Sequence, residues 1–451
     1  MNKIVVKFGG SNLKSNSDIE KIIQVVKSYK QDLVIVVSAL FGVTDKLVEI
    51  TKVISDESLT KEITEDIFHK YQQSLEYFTT NNQEQEYKLR EQRINFETLL
   101  EVYKANPKSL STKNAILSFG EKLSAFILNA ILNLSDIHCE LALPEDFNLK
   151  TNNKLNNASI SNFTDLEQIK TYFDREKHYV VPGFYGISPK GEIALFGRGG
   201  SDYTAAILAY ALDADSLDLW KDVSAYLSAD PKIVNQPIEI EKLNYLEAAE
   251  LSYFGAKIIH PGTIRPLLKK EIPLNIYSIH AESYENKRGT QIANLHENSS
   301  SKIKSITYNN RFVLLKLKGS GVGIKKGILN EITQLFDQND INIRSVITSQ
   351  IEIDFLLHKD DLEKAYTIAK TIQNHFYDLE IEKDISLIAC VGDGIKQSAG
   401  IAGKIFGALA TDDINIKHII FGASDVALYL IVAQNDLQVA INNIHNKVFE
   451  K

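Results

Sequence analysis

Short apolar runs alternate with segments of helical spacing along the first part of the chain. Residues 4–8 and 33–37 are run-like and β-rich, and between them Ile19, Ile22, Ile23 and Val26 recur at the spacing of one helix face. This strand-loop-helix-strand opening predicts a parallel sheet with helices on both faces. A helix is predicted over 119–132, a strand over 179–185 interrupted by Pro182 and Gly183, and a short buried strand over 193–196. A glycine-rich loop follows, then an Ala-rich helix over 203–212, a strand over 215–220, turn chemistry around Asp230 and Pro231, a helix over 246–254 and a strand over 272–278. Residues 45–103 are polar, helical in pattern and free of Pro and Gly. They predict a helical insertion serving as a lid or an oligomer surface.

The polar run 296–304 marks a domain boundary, and the pattern then changes. A strand over 311–317, a glycine-rich turn, a helix ending near Phe336, the stretch Asp340-Ile341-Asn342-Ile343 and a strand over 352–357 follow. The same order returns: a strand over 387–391, a turn at Gly392 and Gly394, a helix to Leu409, Asp413-Ile414-Asn415-Ile416 and a strand over 426–432. A repeat of this size signals two copies of one small ferredoxin-like domain, placed at 305–380 and 384–451 with strands open to sharing, after a first domain over 1–295.

Composition narrows the setting. A chain of 451 residues with 44% hydrophobic and 24% charged residues is an ordinary globular protein of several domains. A net charge of −8 disfavours general nucleic-acid binding, so an anionic substrate needs a locally positive pocket. Cys139 and Cys390 are too few and too distant for a disulfide framework, which fits a reducing compartment. No run approaches ~18 consecutive apolar residues, and the N-terminus enters a strand without a leader pattern. The expected location is the cytoplasm, with no membrane partner.

The candidate chemistry centres on Gly197-Arg198-Gly199-Gly200-Ser201-Asp202. Glycines let the backbone approach a ligand, and a loop that opens a helix aims N–H groups and the positive dipole end at an anion. Arg198 adds a planar fork suited to a carboxylate or phosphate. Lys7 leaves a strand just before Gly9 and Gly10, whose N–H groups form an anion nest. The order differs from a Walker A loop, in which Lys follows the glycines. His260, before Pro261, is read as packing.

Five stretches in this order resemble aspartate kinases: Val6-Lys7-Phe8-Gly9-Gly10-Ser11, Gly120-Glu121, Gly197 through Asp202, Trp220-Lys221-Asp222-Val223 with Ala229-Asp230-Pro231, and Phe254 through Pro261. The resemblance covers the whole chain and implies an amino-acid kinase fold, a parallel-rich open α/β sheet, followed by two ferredoxin-like βαββαβ ACT modules. With no homoserine dehydrogenase region following, it implies the monofunctional form. The implied reaction is ATP-dependent phosphorylation of the side-chain carboxylate of L-aspartate, with Mg²⁺ brought by ATP and no direct metal motif. Lys7, Asp202 and Lys257 are then the expected catalytic residues. Ser38, Ala39, Thr44, Glu121, Phe184, Arg198 and Ser201 line the amino-acid pocket, with Arg198 on the α-carboxylate and Glu121 on the α-ammonium. Lys7, Gly9, Gly10, Ser11, Lys221, Asp222, Pro231, Lys232, Lys257 and Ile258 form the nucleotide side.

Asn12, Lys221, Ala225, Leu227 and Lys232 depart from the family pattern; Thr is common where Lys221 stands. The resemblance further implies an amino-acid effector near Gly319, Gly321, Arg344, Ser349 and Gln350. Members that sense lysine commonly carry acidic residues where Arg344 and Gln350 stand, so threonine sensing, or no sensing, is expected over lysine. Pairing of ACT sheets predicts a homodimer or larger. Two alternatives stay open: another carboxylate kinase of the same fold, and a non-catalytic amino-acid sensor.

Overall fold

The first two apolar runs become β1 (Lys3–Phe8) and β2 (Asp32–Val37), neighbouring parallel strands paired from Lys3↔Asp32 to Phe8↔Val37. Between them α1 (Asn16–Lys27) starts at Ser15, whose hydroxyl accepts from the Asp18 N–H while the Asp18 carboxylate accepts from the Ser15 N–H. The structure, a computed structural model, describes residues 3–79, 83–173, 176–255, 258–294, 303–319, 326–372 and 376–449. These divide into two units, Met1–Tyr226 with Glu239–Ser252 and Lys257–His296, and Leu227–Ile238 with Tyr253–Ala256 and Glu297–Lys451.

In the first unit the chain continues through α2 (Val43–Val53), α3 (Glu57–Phe78), α4 (Gln83–Ala105), α5 (Leu110–Leu134), β3 (Cys139–Leu141), β4 (His178–Pro182), β5 (Tyr185–Ile187), β6 (Ile193–Leu195), α6 (Gly200–Leu212) and β7 (Ser216–Lys221). The two-residue strands β8 (Tyr226–Leu227), β9 (Glu239–Ile240) and β10 (Lys242–Leu243) precede α7 (Tyr245–Phe254), α8 (Ile264–Lys270), β11 (Leu274–Ser278) and β12 (Gly289–Ile292), with Leu227, Tyr253 and Phe254 falling in the second unit. The main sheet has the order β10-β12-β11-β7-β1-β2-β4-β3, parallel from β11 to β3, with β12 antiparallel to β11. Central strands are buried on both faces, which is why they read as runs rather than as alternation.

The helical insertion is present as α2 to α4, and it is part of the core. Ile63, Ile67, Phe68, Tyr71, Leu75, Phe96 and Leu100 join the cluster that holds Val6, Phe8 and Ile35. α5 is long and apolar enough to cross a membrane by length and composition, with a mean hydropathy of 1.5. Counting uninterrupted apolar residues misses it, because Ser, Asn, Gly120 and the pair Glu121 and Lys122 break the run while leaving the average high. Of that stretch 67% is buried within the protein, and the helix packs against α2, α3, α4 and β4.

The second unit holds β13 (Ser305–Asn309), β14 (Phe312–Lys318), α9 (Ile328–Gln338), β15 (Ile343–Thr348), β16 (Glu352–His358), α10 (Leu362–Thr371), β17 (Asp378–Glu382), β18 (Ile385–Val391), α11 (Ile401–Ala410), β19 (His418–Phe421), β20 (Ala427–Ala433) and α12 (Leu437–Phe449). They form two four-stranded antiparallel sheets, β15-β16-β14-β17 and β13-β18-β20-β19. β13 comes first in the chain yet pairs with β18, so the first module sits between two strands of the second. The repeated Asp-Ile-Asn-Ile has a geometric cause. Asp340 and Asp413 take the left-handed conformation at φ 53° and 50°, and the next N–H closes the helix end, Ile341 onto Phe336 O and Ile414 onto Leu409 O. Helices cover one face of each sheet. On the opposite faces Leu314, Leu356, Leu387 and Ile431 are fully buried, and His418 of one module meets Asp354 of the other at 3.5 Å.

Candidate active site

The carboxyl ends of β1, β2, β4 and β7 converge where the sheet order turns outward on either side of β1, the place where open α/β sheets bind ligands. Lys7 pairs with Leu219 across β1 and β7, and Lys221 lies two residues past Leu219, so the two lysines project from the same face. The first turn of α6 supplies Asp202 there. Lys7 Nζ is 2.6 Å from Asp202 Oδ1 and Lys221 Nζ is 2.9 Å from Asp202 Oδ2. All three side chains are nearly enclosed, with 7%, 7% and 14% exposure for Lys7, Asp202 and Lys221.

The electrostatics follow from this burial. Desolvation lowers the Lys7 pKa; Asp202 opposes that shift and Lys221 adds to it. Desolvation alone would raise Asp202, but Lys221 and Lys7 together hold its carboxyl well below the usual carboxylate range. Glu121, inside α5 and 4% exposed, is pushed up to about 8 by burial, against backbone hydrogen bonds from Ala39 and Glu121 itself and the charge of Lys7. Its Oε2 is buried with no hydrogen-bond partner.

The loop after β2 is pinned onto α5 beside Glu121. A Cβ on Gly120 would lie 2.9 Å from Ala39 Cβ, so glycine permits the approach. Tyr71 OH donates to Gly120 O at 2.9 Å and lies 3.0 Å from Ser124 Oγ, which accepts from Leu40 N–H at 2.9 Å. Sequence reasoning did not single out Tyr71 or Ser124; Ser124 stands three residues after Glu121, while Tyr71 carries no local signal. Ser38 donates its N–H to Phe8 O at 3.2 Å, Ala39 is buried, and Thr44 is half-buried in the first turn of α2.

On the other side, Gly197 and Gly199 have φ of 79° and 73°, and a side chain at Gly199 would strike His260. His260 itself accepts from Gly262 N–H through Nδ1, a packing and capping role. Phe184 holds a φ of 78°, unusual for a non-glycine residue, fixed by its N–H on Thr204 Oγ1 and its carbonyl on Phe196 N–H. Ser201 is buried against Gly183, and Arg198 is exposed at the loop tip.

Gly9 N–H is engaged by Asn12 Oδ1 at 3.2 Å, so it is not open to an anion as expected, and Gly10 and Ser11 follow in the tight turn after β1. Asn12 is fully buried and its Nδ2 lacks an acceptor. Asp222 is exposed beyond β7, and Ile258 is half-buried in a turn. Lys257 lies outside the described residues. Pro231 and Lys232 are exposed and belong to the second unit. In that unit Gly319 N–H donates to Ile351 O, Ser349 and Gln350 are exposed, and the Arg344 guanidinium lies over the Tyr253 ring at 5.0 Å. Gly321 lies outside the described residues.

Residues 2–278 match the amino acid kinase family and residues 388–448 match an ACT domain. The chain belongs to the amino acid kinase family. Over its whole length it is similar to lysine-sensitive aspartokinase 3 of Escherichia coli, with 27% identity over 464 residues and 100% of both chains covered. It is 34% identical over 283 residues to the bifunctional aspartokinase/homoserine dehydrogenase of Haemophilus influenzae; that match covers 61% of this chain and 34% of the longer protein, about a third of its length. Among solved structures, E. coli aspartokinase III in complex with aspartate and ADP superposes with a TM-score of 0.84 at 25% identity, covering 100% of each chain.

One expectation is overturned. The threonine preference drawn from Arg344 and Gln350 conflicts with these relatives: one is named lysine-sensitive, and E. coli aspartokinase III in complex with lysine and aspartate matches with a TM-score of 0.81 at 25% identity, covering 99% of each chain. Arg344 does not present a free cation to a ligand. Its guanidinium is instead stacked on Tyr253, and Gln350 is exposed.

Proposed function

We infer that the chain is an aspartokinase, transferring the γ-phosphoryl group of ATP to the side-chain carboxylate of L-aspartate in the first step towards the aspartate-derived amino acids. The observation that carries this reading is Glu121 Oε2, a buried acceptor left open beside a cluster of cationic charge. An ammonium group satisfies that oxygen, and the neighbouring cations and loop amides receive carboxylate and phosphate. The names of the relatives supply the particular amino acid.

The acceptor carboxylate is ionised at neutral pH, since its ordinary pKa is ~4, so no strong base is required. Its oxygen attacks the γ-phosphorus in line, the bond from phosphorus to the bridging oxygen breaks, and ADP departs with that electron pair. Lys7 and the Gly10 and Ser11 amides face the phosphates and offset the charge of the transition state. Arg198 clamps the α-carboxylate, with Ser38, Ala39, Thr44, Phe184 and Ser201 around the substrate. Lys257 and Ile258 complete the nucleotide side within the first unit. Asp222, exposed beyond β7, is the carboxylate that would meet a Mg²⁺ brought with the nucleotide, which would supply charge neutralisation. An amino-acid effector acts through the ACT modules, and lysine is the first to test.

Incubation with ATP, Mg²⁺ and hydroxylamine tests the assignment by trapping the acyl phosphate. Hydroxamate is expected from aspartate and not from glutamate. Product from glutamate alone would make the chain a different carboxylate kinase, and no product from any amino acid would favour a sensor.

The raised Glu121 pKa gives a second test. Below about 8 the carboxyl holds its proton in the empty site and offers the substrate ammonium no opposing charge. The ratio kcat/KM for aspartate is therefore expected to climb with pH to a limb near 8, and Glu121→Gln should abolish that limb and raise KM. The linkage sign is equally specific. A carboxyl raised from 4.5 to about 8 on folding favours the fold below the lower value and loses that contribution as pH rises through the upper one. Glu121→Gln should thus melt higher than the parent at alkaline pH and show no such gain in acid.

A further inference from the structure

Lys221 stands where the family pattern commonly has Thr, and the residue ahead of Asp222 was expected to contact nucleotide. Its ammonium instead lies 2.9 Å from Asp202 Oδ2, while Lys7 holds Oδ1 at 2.6 Å. Asp202 is thus shared by two cations, one from each of two neighbouring strands, and the trio carries one net positive charge. We propose that Lys221 is a positioning residue for phosphoryl transfer: it keeps Asp202 paired, so that Lys7 can turn its ammonium to the migrating phosphoryl group without leaving a buried carboxylate uncompensated.

The reasoning is electrostatic and rests on the aspartokinase reading. A buried carboxylate stripped of its only cation is strongly disfavoured, because desolvation is then unopposed. If Lys7 were the sole partner, each approach to phosphate would carry that cost. With Lys221 on the second oxygen, Asp202 stays ionised and in place at the start of α6 whether Lys7 points to it or to substrate. The surplus positive charge also favours entry of two anionic substrates into a chain whose overall charge is −8. The groups that set the protonation of Lys7 come from three elements: Asp202 on α6, Lys221 on β7 and Glu121 on α5. His260 and Tyr226 in turn feel the charge of Asp202.

The test uses the full-length chain with Lys221→Thr and Lys221→Arg, measuring steady-state hydroxamate formation from aspartate across pH, with a thermal melt of each variant. Lys221→Thr is expected to lower kcat on the order of 10- to 100-fold, the range typical of groups that orient the direct contacts of a site, with a smaller change in KM for ATP. Because Lys221 repels the proton on Lys7, its loss should also move the alkaline limb of the rate profile to higher pH. Lys221→Arg, which keeps the charge, should recover much of the rate and return the limb towards the parent position. A purely structural role would lower the melting temperature of Lys221→Thr and leave both kcat per folded enzyme and the limb unmoved, which would overturn the proposal. So would a rise in KM for ATP with unchanged kcat, the signature of a nucleotide contact. If the parent chain forms no hydroxamate from aspartate, the functional reading fails first; if it does and Lys221→Thr matches it, only the positioning role fails.

Discussion

Replacing Lys7 with Met should lower kcat by roughly 10³-fold, the upper end of what removal of one preorganised donor costs, while the protein still folds. Lys7 is the cation at the end of β1, and the neighbouring turn adds amides but no charge. The fold should persist because Asp202 keeps Lys221 at 2.9 Å, so the variant does not strand a buried carboxylate. The exchange also removes an ammonium whose burial already lowers its pKa, which limits the loss of stability. Single-turnover hydroxamate formation and a thermal melt measure the two halves. Turnover near the parent rate would remove Lys7 from the chemistry, and an unfolded variant would show that Lys221 cannot hold Asp202 alone.

Arg198→Ala should act on binding rather than on folding. The side chain is exposed at the tip of the glycine loop, so stability should change by less than ~0.5 kcal/mol, as for ordinary surface sites. A two-pronged contact to a carboxylate that closes on binding is worth about 3 kcal/mol, or roughly a hundredfold. KM for aspartate should rise by about that factor, with KM for ATP nearly constant. Arg198→Lys should restore little, because a point charge does not reproduce the planar fork. An unchanged KM for aspartate would place the α-carboxylate elsewhere.

Much of the candidate site's geometry could be read from the chain because its signals are local. Lys7 ends an apolar run, Gly197 and Gly199 need left-handed backbone, and Glu121 follows a glycine that must admit Ala39. What stayed hidden depends on pairing between distant segments. The shared carboxylate exists only because β1 and β7 are parallel neighbours in a register that brings Lys7 and Lys221 to one face. Tyr71 reaches Gly120 from the helical insertion, with nothing around it in sequence to mark the contact. β13 was obscured by the polar run before it, and its partner β18 lies a whole module further on. The effector expectation failed for a related reason. The sign of a side chain such as Arg344 says little until its stacking partner is known.

The pairing of β13 with β18 makes the regulatory half a nested object rather than two beads on a string. Asn309 faces Leu387 across the ladder, so the points where the inner copy leaves and rejoins the outer one are adjacent in space. Cutting the chain between the copies would therefore strip the outer sheet of an edge strand. Excising 312–382 and splicing the two ends with a tight hairpin turn would instead leave the outer sheet with all four strands. The boundary that matters for engineering this half is a pair of neighbouring splice points, not a single linker.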